Sequence, residues 1–563
     1  MVRTPERLAI GRLLGWVASL TTLMIVPWAS YDPINVPKLA VLSVGGFISI
    51  VFVASQWKVL KSTNLRIPLI VALLFVIDLV LVLIFAGGNF NQEFFGANGR
   101  ATGFVAYVAL AGLFLAGLVS ACRSTLVRFS WFLLATGLLS VIYGLMQALG
   151  NDPIKWANSY SPVIGFVGNP NFQSAFVAFS AIMAIAMVTN KDLKTIHRAG
   201  VALYLVPAVY VIKETEAQQG FLVLAGGIAV IALIFFYKSR AKILTLPFIL
   251  AGTGGLVFVV LGSLNMGPLA SVLYKASVTY RGDYWQAGWK MSLENPIFGV
   301  GLDSYGDWYR RSRTIEATLR RGPDITSNAA HNVLLDFSSN GGFPLLIIYL
   351  ALVILVLRAA LRSIRRSSGF DPVFVGLCSV WIAYQAQSLI SLNQLGLAVW
   401  GWILSGLIIG WDAHGHLVAP EVKVNQSVKK NNSAKAMANN KIQPASALAI
   451  FVGLLIGLLA GLPPLLANAR FLSALQSGDP NVIVKSINSF PQDATRTIQA
   501  AIIFHENKLD PLSLTTVEAA VVKYPDVYDG WKIIAGLANS TPEQVANAKA
   551  QMKRLDPHNP DLK

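Results

Sequence analysis

The chain has 563 residues, of which 54% are hydrophobic and only 13% are charged, and its mean hydropathy is +0.57. So apolar a composition excludes a soluble protein of this length and predicts an all-α polytopic membrane protein. The formal net charge of +17 lies mostly in short basic runs between apolar stretches, as in cytoplasmic loops, so nucleic-acid binding is not expected. The two cysteines, Cys122 and Cys378, support neither a disulfide framework nor a metal site.

Thirteen stretches are apolar enough for transmembrane helices, each of which needs about 20 residues. The first follows Arg3, Arg7 and Arg12 and has no small-residue cleavage site after it, so a retained helix is expected rather than a cleaved signal peptide. The predicted spans are roughly 10–28, 38–55, 67–86, 103–121, 129–149, 171–189, 199–213, 219–236, 243–262, 341–357, 373–391, 395–411 and 445–467.

Basic residues alternate between the connections of these spans. If the N-terminus is cytoplasmic, every even-numbered connection carries a run of Lys and Arg, such as KVLKSTNLR at 58–66 and RSIRR at 362–366. The positive-inside rule then places the long loop 263–340 and everything after residue 467 on the outer face.

The C-terminal quarter has a different composition from the spans. Residues 412–444 have no apolar periodicity and much Asn and Lys, which predicts a flexible cytoplasmic linker, and its His414 and His416 lack a third metal ligand. The outer tail, 468–563, shows amphipathic helices separated by turns, and its ending AKAQMKRLDPHNP resembles a tetratricopeptide repeat. A repeat array would present a surface for a protein partner, and a plain helical cap is the alternative.

Asp78 is an acidic residue in the middle of the predicted span 67–86. An ionisable group at that depth ordinarily indicates a transport pathway. A transporter would normally carry further such groups and broken helices in symmetric halves, and neither is evident in the sequence. A buried structural acid is therefore the alternative interpretation of Asp78.

Arginines and aromatic residues concentrate in the segments predicted to be outside. Arg100 lies in FFGANGRATG, Asn169 in GFVGNPNFQSAF, and Arg281 and Trp285 in SVTYRGDYWQAGWK. Arginine stays charged and can donate two hydrogen bonds to phosphate oxygens, so converging arginines at a membrane surface suit a lipid diphosphate. Nearby Trp and Tyr rings suit stacking on sugars, although an interfacial aromatic belt has the same composition.

Each of these features has a structural alternative. Arg100 alone fits an interfacial side chain that reaches toward the membrane surface. The basic run 310–313 fits a solvated helix face. Asp303 and Asp307 lack the tight spacing of a cation site, so no metal is expected.

The long loop and its flanks carry short motifs in a fixed order. R-x3-W-x3-W starts at Arg281, NPIFGVGLDSY follows at 295–305, and HN-x6-SNGGFPLL starts at His331. Together with FFGANGRATGF, VIYGLMQALGNDP, VGNPNFQSAF and AYQAQSLISLNQLGLAVWGWI, this order resembles the shared core of O-antigen ligases, O-antigen polymerases and bacterial protein O-oligosaccharyltransferases. The resemblance covers about residues 90–411 and implies a bacterial plasma-membrane protein with a multi-helix glycosyltransferase fold.

The resemblance also implies an activity and roles for particular residues. A glycan would be transferred from undecaprenyl diphosphate to an acceptor hydroxyl or amine on the outer face, without a nucleotide sugar, cofactor or required metal. By position, His331, Arg281 and Arg100 match the family's histidine and two of its arginines. Where the family often has an arginine in a T-x-S-R-G-like motif, TEAQQG at 215–220 has Gln218, so that contact is weaker or differently used.

The chemistry of glycan transfer suits these residue types. Cleavage of the anomeric C–O bond leaves negative charge on the diphosphate, which Arg281 and Arg100 would stabilise. The acceptor loses a proton, which His331 would accept while Asn332 orients the ring or holds an oxygen. The predicted substrate-binding residues are Arg100, Asn332, Asn169, Trp285 and Gln218.

Other interpretations of the base remain open at this point. Asp283 and Glu294 lie in the same loop and are alternative bases. His331 itself has a structural alternative, because a histidine at a helix end is often a cap bound to the backbone.

The sequence therefore predicts a membrane glycan ligase of the O-antigen ligase-like type. Its expected partners are the lipid-linked donor, a glycan, lipid or protein acceptor, and membrane lipids. A polymerase and a protein O-oligosaccharyltransferase use the same donor and differ in the acceptor. A lipid-linked glycan transporter and a non-enzymatic scaffold are the alternatives from other classes, and neither has a need for the imidazole of His331.

Overall fold

The computed structural model describes residues 4–56, 65–156, 161–414 and 444–562, and every regular element in these ranges is helical. The N-terminal half comprises α1 (Thr4–Leu23), α2 (Asn35–Ser55), α3 (Arg66–Phe85), α4 (Phe90–Phe95), α5 (Phe104–Ser120), α6 (Arg123–Ala148), α7 (Pro170–Val188), α8 (Thr195–Glu214), α9 (Gln218–Lys238) and α10 (Thr245–Ser263). Most of the predicted linker, residues 415–443 with His416, lies outside the described residues, as do Lys58 and Lys61.

The second half contains the long loop, four long helices and the tail. The long loop folds into α11 (Ala270–Leu273), α12 (Ala276–Glu294), α13 (Tyr305–Ser312) and α14 (Ile315–Arg321). It is followed by α15 (Val333–Arg366), α16 (Pro372–Ser388), α17 (Leu395–His414) and α18 (Pro444–Ser477). The tail comprises α19 (Pro480–Ile487), α20 (Ala494–Glu506), α21 (Asp510–Lys523), α22 (Tyr528–Gly536) and α23 (Pro542–Leu555).

Ten helices in the described part of the chain are long and apolar enough to cross a membrane, as expected of a polytopic membrane protein. Every predicted span overlaps a helix, although the first span extends beyond the end of α1 at Leu23. Three of these thirteen helices fall short of that standard. Helices α5 and α16 have 17 residues each, and α1 contains Glu6, Arg7 and Arg12. A total of thirteen crossings therefore stays a prediction.

Helices α7 and α17 form the centre of the bundle and are the most completely buried of the ten. Trp400 of α17 is fully buried, and its indole N–H donates a hydrogen bond to Thr22 of α1. Helix α5 packs directly on α17, where a Cβ at Gly406 would lie 2.1 Å from the carbonyl oxygen of Phe114. Small residues thus let the central helices approach closely, as is common in membrane bundles.

Helix α18 packs along α2 through a row of glycines. A Cβ at Gly453 or Gly457 would lie 2.5 Å from the Cα atom of Ile48 or Val44, respectively, so a larger residue would push the helices apart. Helix α18 then continues without a break beyond residue 467 to Ser477. The predicted boundary between membrane domain and tail therefore falls inside one continuous helix, and the tetratricopeptide nature of the tail stays a prediction.

Helix α15 is broken near its N-terminal end. Gly342 has φ 74°, and a Cβ there would lie 2.3 Å from the carbonyl oxygen of Ile297. A short segment, 333–341, therefore precedes the longer apolar part of the helix. The NPIFG turn packs into the break, where the Phe343 N–H donates to the Pro296 carbonyl, and this contact holds the start of α15 against the long loop.

The connections gather at two ends of the bundle according to their charge. At one end, Arg123 pairs with Asp371 at 2.7 Å and Arg362 with Asp412 at 2.6 Å. At the other end, the connections before α2, α5, α7 and α17 meet the long loop around one cavity. These two sets are the ones that the positive-inside rule assigns to the cytoplasmic and outer faces, and the orientation in the membrane stays a prediction.

Candidate functional site

A cavity of about 560 Å³ opens where these connections meet the long loop. Four of the seven predicted site residues line it, namely Arg100, Asn169, Arg281 and His331. They come from three separate connections, of which the long loop supplies both Arg281 and His331, so helix packing rather than closeness in sequence brings them together. The other three predicted residues, Asn332, Trp285 and Gln218, are not among those lining the cavity.

None of the described side chains that line the cavity is acidic. Its cationic side chains are Arg100, Arg281 and Arg321, and its lining also contains His331 and the two tyrosines Tyr280 and Tyr284. Its amide groups are Asn35, Asn169, Asn171, Asn328, Asn393 and Gln394. Cations in a lining that has no described acidic side chain suit an anionic ligand, and amides suit the hydroxyl groups of sugars.

His331 lies immediately before Asn332, the residue that precedes α15. Its backbone φ of 53° is in the left-handed region. Its ring stacks on Tyr284 of α12 with 5.3 Å between the ring centroids. Burial, together with the positive charges of Arg281, Arg100 and Arg321, lowers the pKa of His331 to about 4. The imidazole is therefore neutral at pH 7, which is the form that accepts a proton.

Asn332, and not His331, caps helix α15. The Asn332 side-chain oxygen accepts hydrogen bonds from the backbone N–H groups of Leu334 and Leu335 at 3.0 and 3.3 Å. Among the described residues, none forms a hydrogen bond with the His331 imidazole. The cap interpretation of His331 is therefore wrong, because the adjacent asparagine makes the cap that residue type commonly provides.

Arg281 lies on α12, one turn before Tyr284. Within the ranges that the structure describes, no carboxylate forms an ion pair with Arg281. Burial lowers the pKa of Arg281 from its usual value, while Tyr284 opposes the shift. Arginine remains protonated at neutral pH even so, and Arg281 therefore presents an uncompensated charge to the cavity.

Arg321, at the end of α14, is a second cation of the same kind. Its guanidinium lies 4.4 Å from the ring centroid of Tyr280 and donates a hydrogen bond to the Tyr284 hydroxyl. No described acidic side chain pairs with it, in contrast to Arg320, which pairs with Asp283. Two tyrosines thus hold Arg321 at the cavity without neutralising it.

Arg100 is different, because buried carboxylates compensate its charge. Its Nε lies 2.9 Å from Asp303 Oδ1 and its Nη2 lies 3.9 Å from Asp336 Oδ2. Burial acts to lower the pKa of Arg100, but the two carboxylates outweigh it and raise the pKa overall. Arg100 also donates to the carbonyl of Asn328, so it organises the cavity wall as much as it faces the ligand space.

The acidic residues considered as bases or cation ligands are engaged elsewhere. Asp283 pairs with Arg320, and Glu294 lies 3.9 Å from Lys290. Neither of the two lines the cavity. Asp303 accepts hydrogen bonds from the Thr102 hydroxyl and from backbone N–H groups in addition to its pairing with Arg100.

The structure places the remaining predicted residues, and Asp78, on or next to particular helices. Asn169 caps α7, accepting from the Asn171 N–H at 2.9 Å, and still lines the cavity. Trp285 lies on α12 beside Tyr284, and Gln218 begins α9. Asp78 lies buried on α3 and does not line the cavity.

The solvated-face interpretation of the basic run 310–313 is wrong for two of its arginines. Arg310 and Arg313 are buried, with 8% and 2% of their surface exposed. Both pair with Asp556 of the tail, at 3.4 and 2.6 Å. Charge runs usually face water, but here the folded tail covers this one and supplies the missing carboxylate.

Sequence reasoning missed Arg321 and Asn393 as cavity residues. Arg321 stands in the run TLRRG, which has the appearance of an ordinary basic helix end. Asn393 lies in the connection between α16 and α17, where its side-chain oxygen accepts from the Tyr384 hydroxyl. Arg321 has no motif of its own, whereas Asn393 lies within the motif AYQAQSLISLNQLGLAVWGWI, which did not distinguish it from its polar neighbours.

Comparison with known proteins supports the resemblance. Residues 203–350 match the family model described as O-Antigen ligase, which is about a quarter of the chain and contains Arg281, Arg321 and His331. No curated protein matches the chain. The match supports an enzyme of the ligase or glycosyltransferase type that handles glycans at a membrane.

Proposed function

We propose that this protein is a membrane glycan ligase that transfers a glycan from undecaprenyl diphosphate to an acceptor on the outer face of a bacterial plasma membrane. The observation that carries the proposal is the cavity in which His331 faces two arginines, Arg281 and Arg321, and no carboxylate of the described residues. O-antigen polymerases and protein O-oligosaccharyltransferases share this donor chemistry. The acceptor decides among these three activities, and the proposal covers the common step.

In the proposed reaction, Arg281 and Arg321 bind the donor diphosphate. The acceptor oxygen attacks the anomeric carbon, a new C–O bond forms, and the bond from that carbon to the diphosphate oxygen breaks. The bond's electron pair stays on the departing undecaprenyl diphosphate. Fixed guanidinium groups stabilise this growing negative charge without the reorganisation that water would require.

The acceptor proton passes to His331 in this scheme. A base with a pKa of about 4 is weak at neutral pH. The donor diphosphate would offset the positive charges of Arg281 and Arg321, and its negative charge would raise the pKa of the imidazole. Donor binding thereby prepares His331 to accept the proton only when a glycan is present to be transferred.

The experiment is transfer by the purified protein from an undecaprenyl-diphosphate glycan, with donor binding measured in parallel. We expect His331→Ala to reduce transfer by roughly a hundredfold or more while donor binding persists, because a general base contributes about that much. Arg281→Ala is expected to weaken both donor binding and transfer. His505→Ala is the matched control, since that tail histidine is exposed and pairs with Asp510.

The outcomes distinguish the alternatives. Unchanged transfer by His331→Ala would remove the imidazole as base. Donor binding and movement across vesicle membranes, without any product from any acceptor, would favour a transporter. A scaffold would tolerate His331→Ala and Arg281→Ala alike.

A further inference from the structure

One short loop, residues 322–330, joins Arg321 to His331 and has no helix or strand of its own. Near Arg321, two guanidinium groups donate hydrogen bonds to the loop's backbone carbonyls. Arg313 donates to the carbonyls of Pro323 and Ile325 at 2.9 and 3.0 Å, and Arg310 donates to the Pro323 carbonyl at 2.6 Å. Arg321 and His331, the residues that flank this loop, both line the cavity. A residue that fixes Arg310 and Arg313 therefore also affects the positions of Arg321 and His331.

Asp556, at the end of α23 in the tail, holds both arginines. Its Oδ2 lies 2.6 Å from Arg313 Nη2 and 3.4 Å from Arg310 Nη1. Asp556 is fully buried, so water does not screen the pairing. The Arg310 guanidinium also stacks on Tyr528 of the tail, 4.0 Å from its ring centroid.

An exposed ion pair also joins the loop 322–330 directly to the tail. Lys532 of the tail lies 2.6 Å from Asp324 of the loop, and both side chains are at least half exposed. An exposed pair contributes little because water solvates both charges. Removal of the buried carboxylate, in contrast, would leave buried Arg313 with no described carboxylate and Arg310 with only the exposed Asp529, at 3.8 Å.

We propose that Asp556 is a positioning residue for the site. Through Arg310 and Arg313 it fixes the loop 322–330, and through that loop it sets the places of Arg321 and His331. The tail then supports the cavity wall through this loop, although none of the described tail residues lines the cavity itself. This inference rests on the proposed function, because its consequences are measured as donor recognition and transfer.

The test compares Asp556→Asn, which keeps the side-chain shape, with Lys532→Ala as the matched control. We expect Asp556→Asn to raise the donor KM and lower kcat, with a loss in kcat/KM on the order of ten- to a hundredfold, as small displacements of binding groups produce. Lys532→Ala is expected to leave both constants unchanged. The folded fraction of each variant is measured by thermal unfolding in the same detergent.

A purely structural role makes a different prediction. If Asp556 only stabilises the fold, Asp556→Asn would lower kcat in proportion to the folded fraction with an unchanged donor KM, and that result would overturn the proposal. Equal effects of Lys532→Ala would also overturn it. If the wild-type protein shows no transfer, the proposed function is refuted instead. Failure of the inference about Asp556 and failure of the proposed function are therefore distinguishable.

A second variant covers the case in which Asp556→Asn does not fold. Arg310→Gln removes one donor to the Pro323 carbonyl while the 2.6 Å pair between Asp556 and Arg313 remains. An increased donor KM is expected. An unchanged KM in folded Arg310→Gln protein would count against the proposed link.

Discussion

Arginines occur both in the cavity and in the block of ion pairs beside it, which comprises Arg100, Arg313 and their carboxylate partners. Their positive charges are neutralised only in the block. In the block, Arg100 lies between Asp303 and Asp336, and Arg313 lies against Asp556. In the cavity, Arg281 and Arg321 face no described carboxylate. The comparison shows that the partner, and not the arginine itself, decides whether a guanidinium supports the fold or remains available to an anionic ligand.

The largest expected effect is on stability, in the paired block. Arg100→Ala would leave two buried carboxylates without a cation, which costs about 3–5 kcal/mol, whereas Arg281→Ala would leave no buried charge unpaired. We expect a clear loss of thermal stability for Arg100→Ala and little change for Arg281→Ala. If Arg100→Ala is as stable as the wild type and only its donor KM is raised, Arg100 acts in donor binding rather than in supporting the fold.

An intermediate effect is expected for two neighbouring arginines of α14. Arg321→Ala should raise the donor KM about tenfold, or roughly 1.4 kcal/mol, because an unpaired cation is lost from the cavity. Arg320→Ala should leave the donor KM near its wild-type value, since Asp283 already compensates that charge. Arg321→Lys should recover part of the affinity through charge alone. Equal effects of the two alanine variants would contradict the distinction between paired and unpaired arginines.

The smallest effect is a difference between two pH profiles. His331 acts only when neutral, so activity is lost as pH falls through its pKa. For the free enzyme, whose pKa is about 4, the acid limb of kcat/KM should lie well below that of an ordinary histidine. The acid limb of kcat should lie at higher pH, because bound diphosphate raises the pKa in the complex. Coincident acid limbs would refute the coupling between donor and base.

The helices were largely predictable, because the apolar length of a span is a local property of the sequence. Each predicted window overlaps a helix, from α1 to α18. The break at Gly342 was not predicted, since it depends on a turn more than 40 residues upstream that packs against that glycine. The continuity of α18 into the tail was likewise missed, because the composition changes near residue 467 while the backbone remains helical to Ser477.

The candidate site was partly predictable from motifs. His331, Arg281, Arg100 and Asn169 were expected on one side of the membrane and share one cavity. Asn332 caps a helix instead of lining that cavity. Arg321 lacked a distinguishing signal, because its neighbour Arg320 looks identical in the sequence and differs only in having Asp283 as a partner.

The sequence by itself predicted a helical membrane protein, which connections gather at the same end of the bundle, and which residue types are available there. Those properties follow from apolar length, charge distribution and short motifs, all of which are local. Only the tertiary structure decided which arginines are neutralised and which face the cavity. Ion pairing depends on contacts between residues far apart in the chain, such as Arg313 and Asp556, and such contacts exist only once the helices have packed.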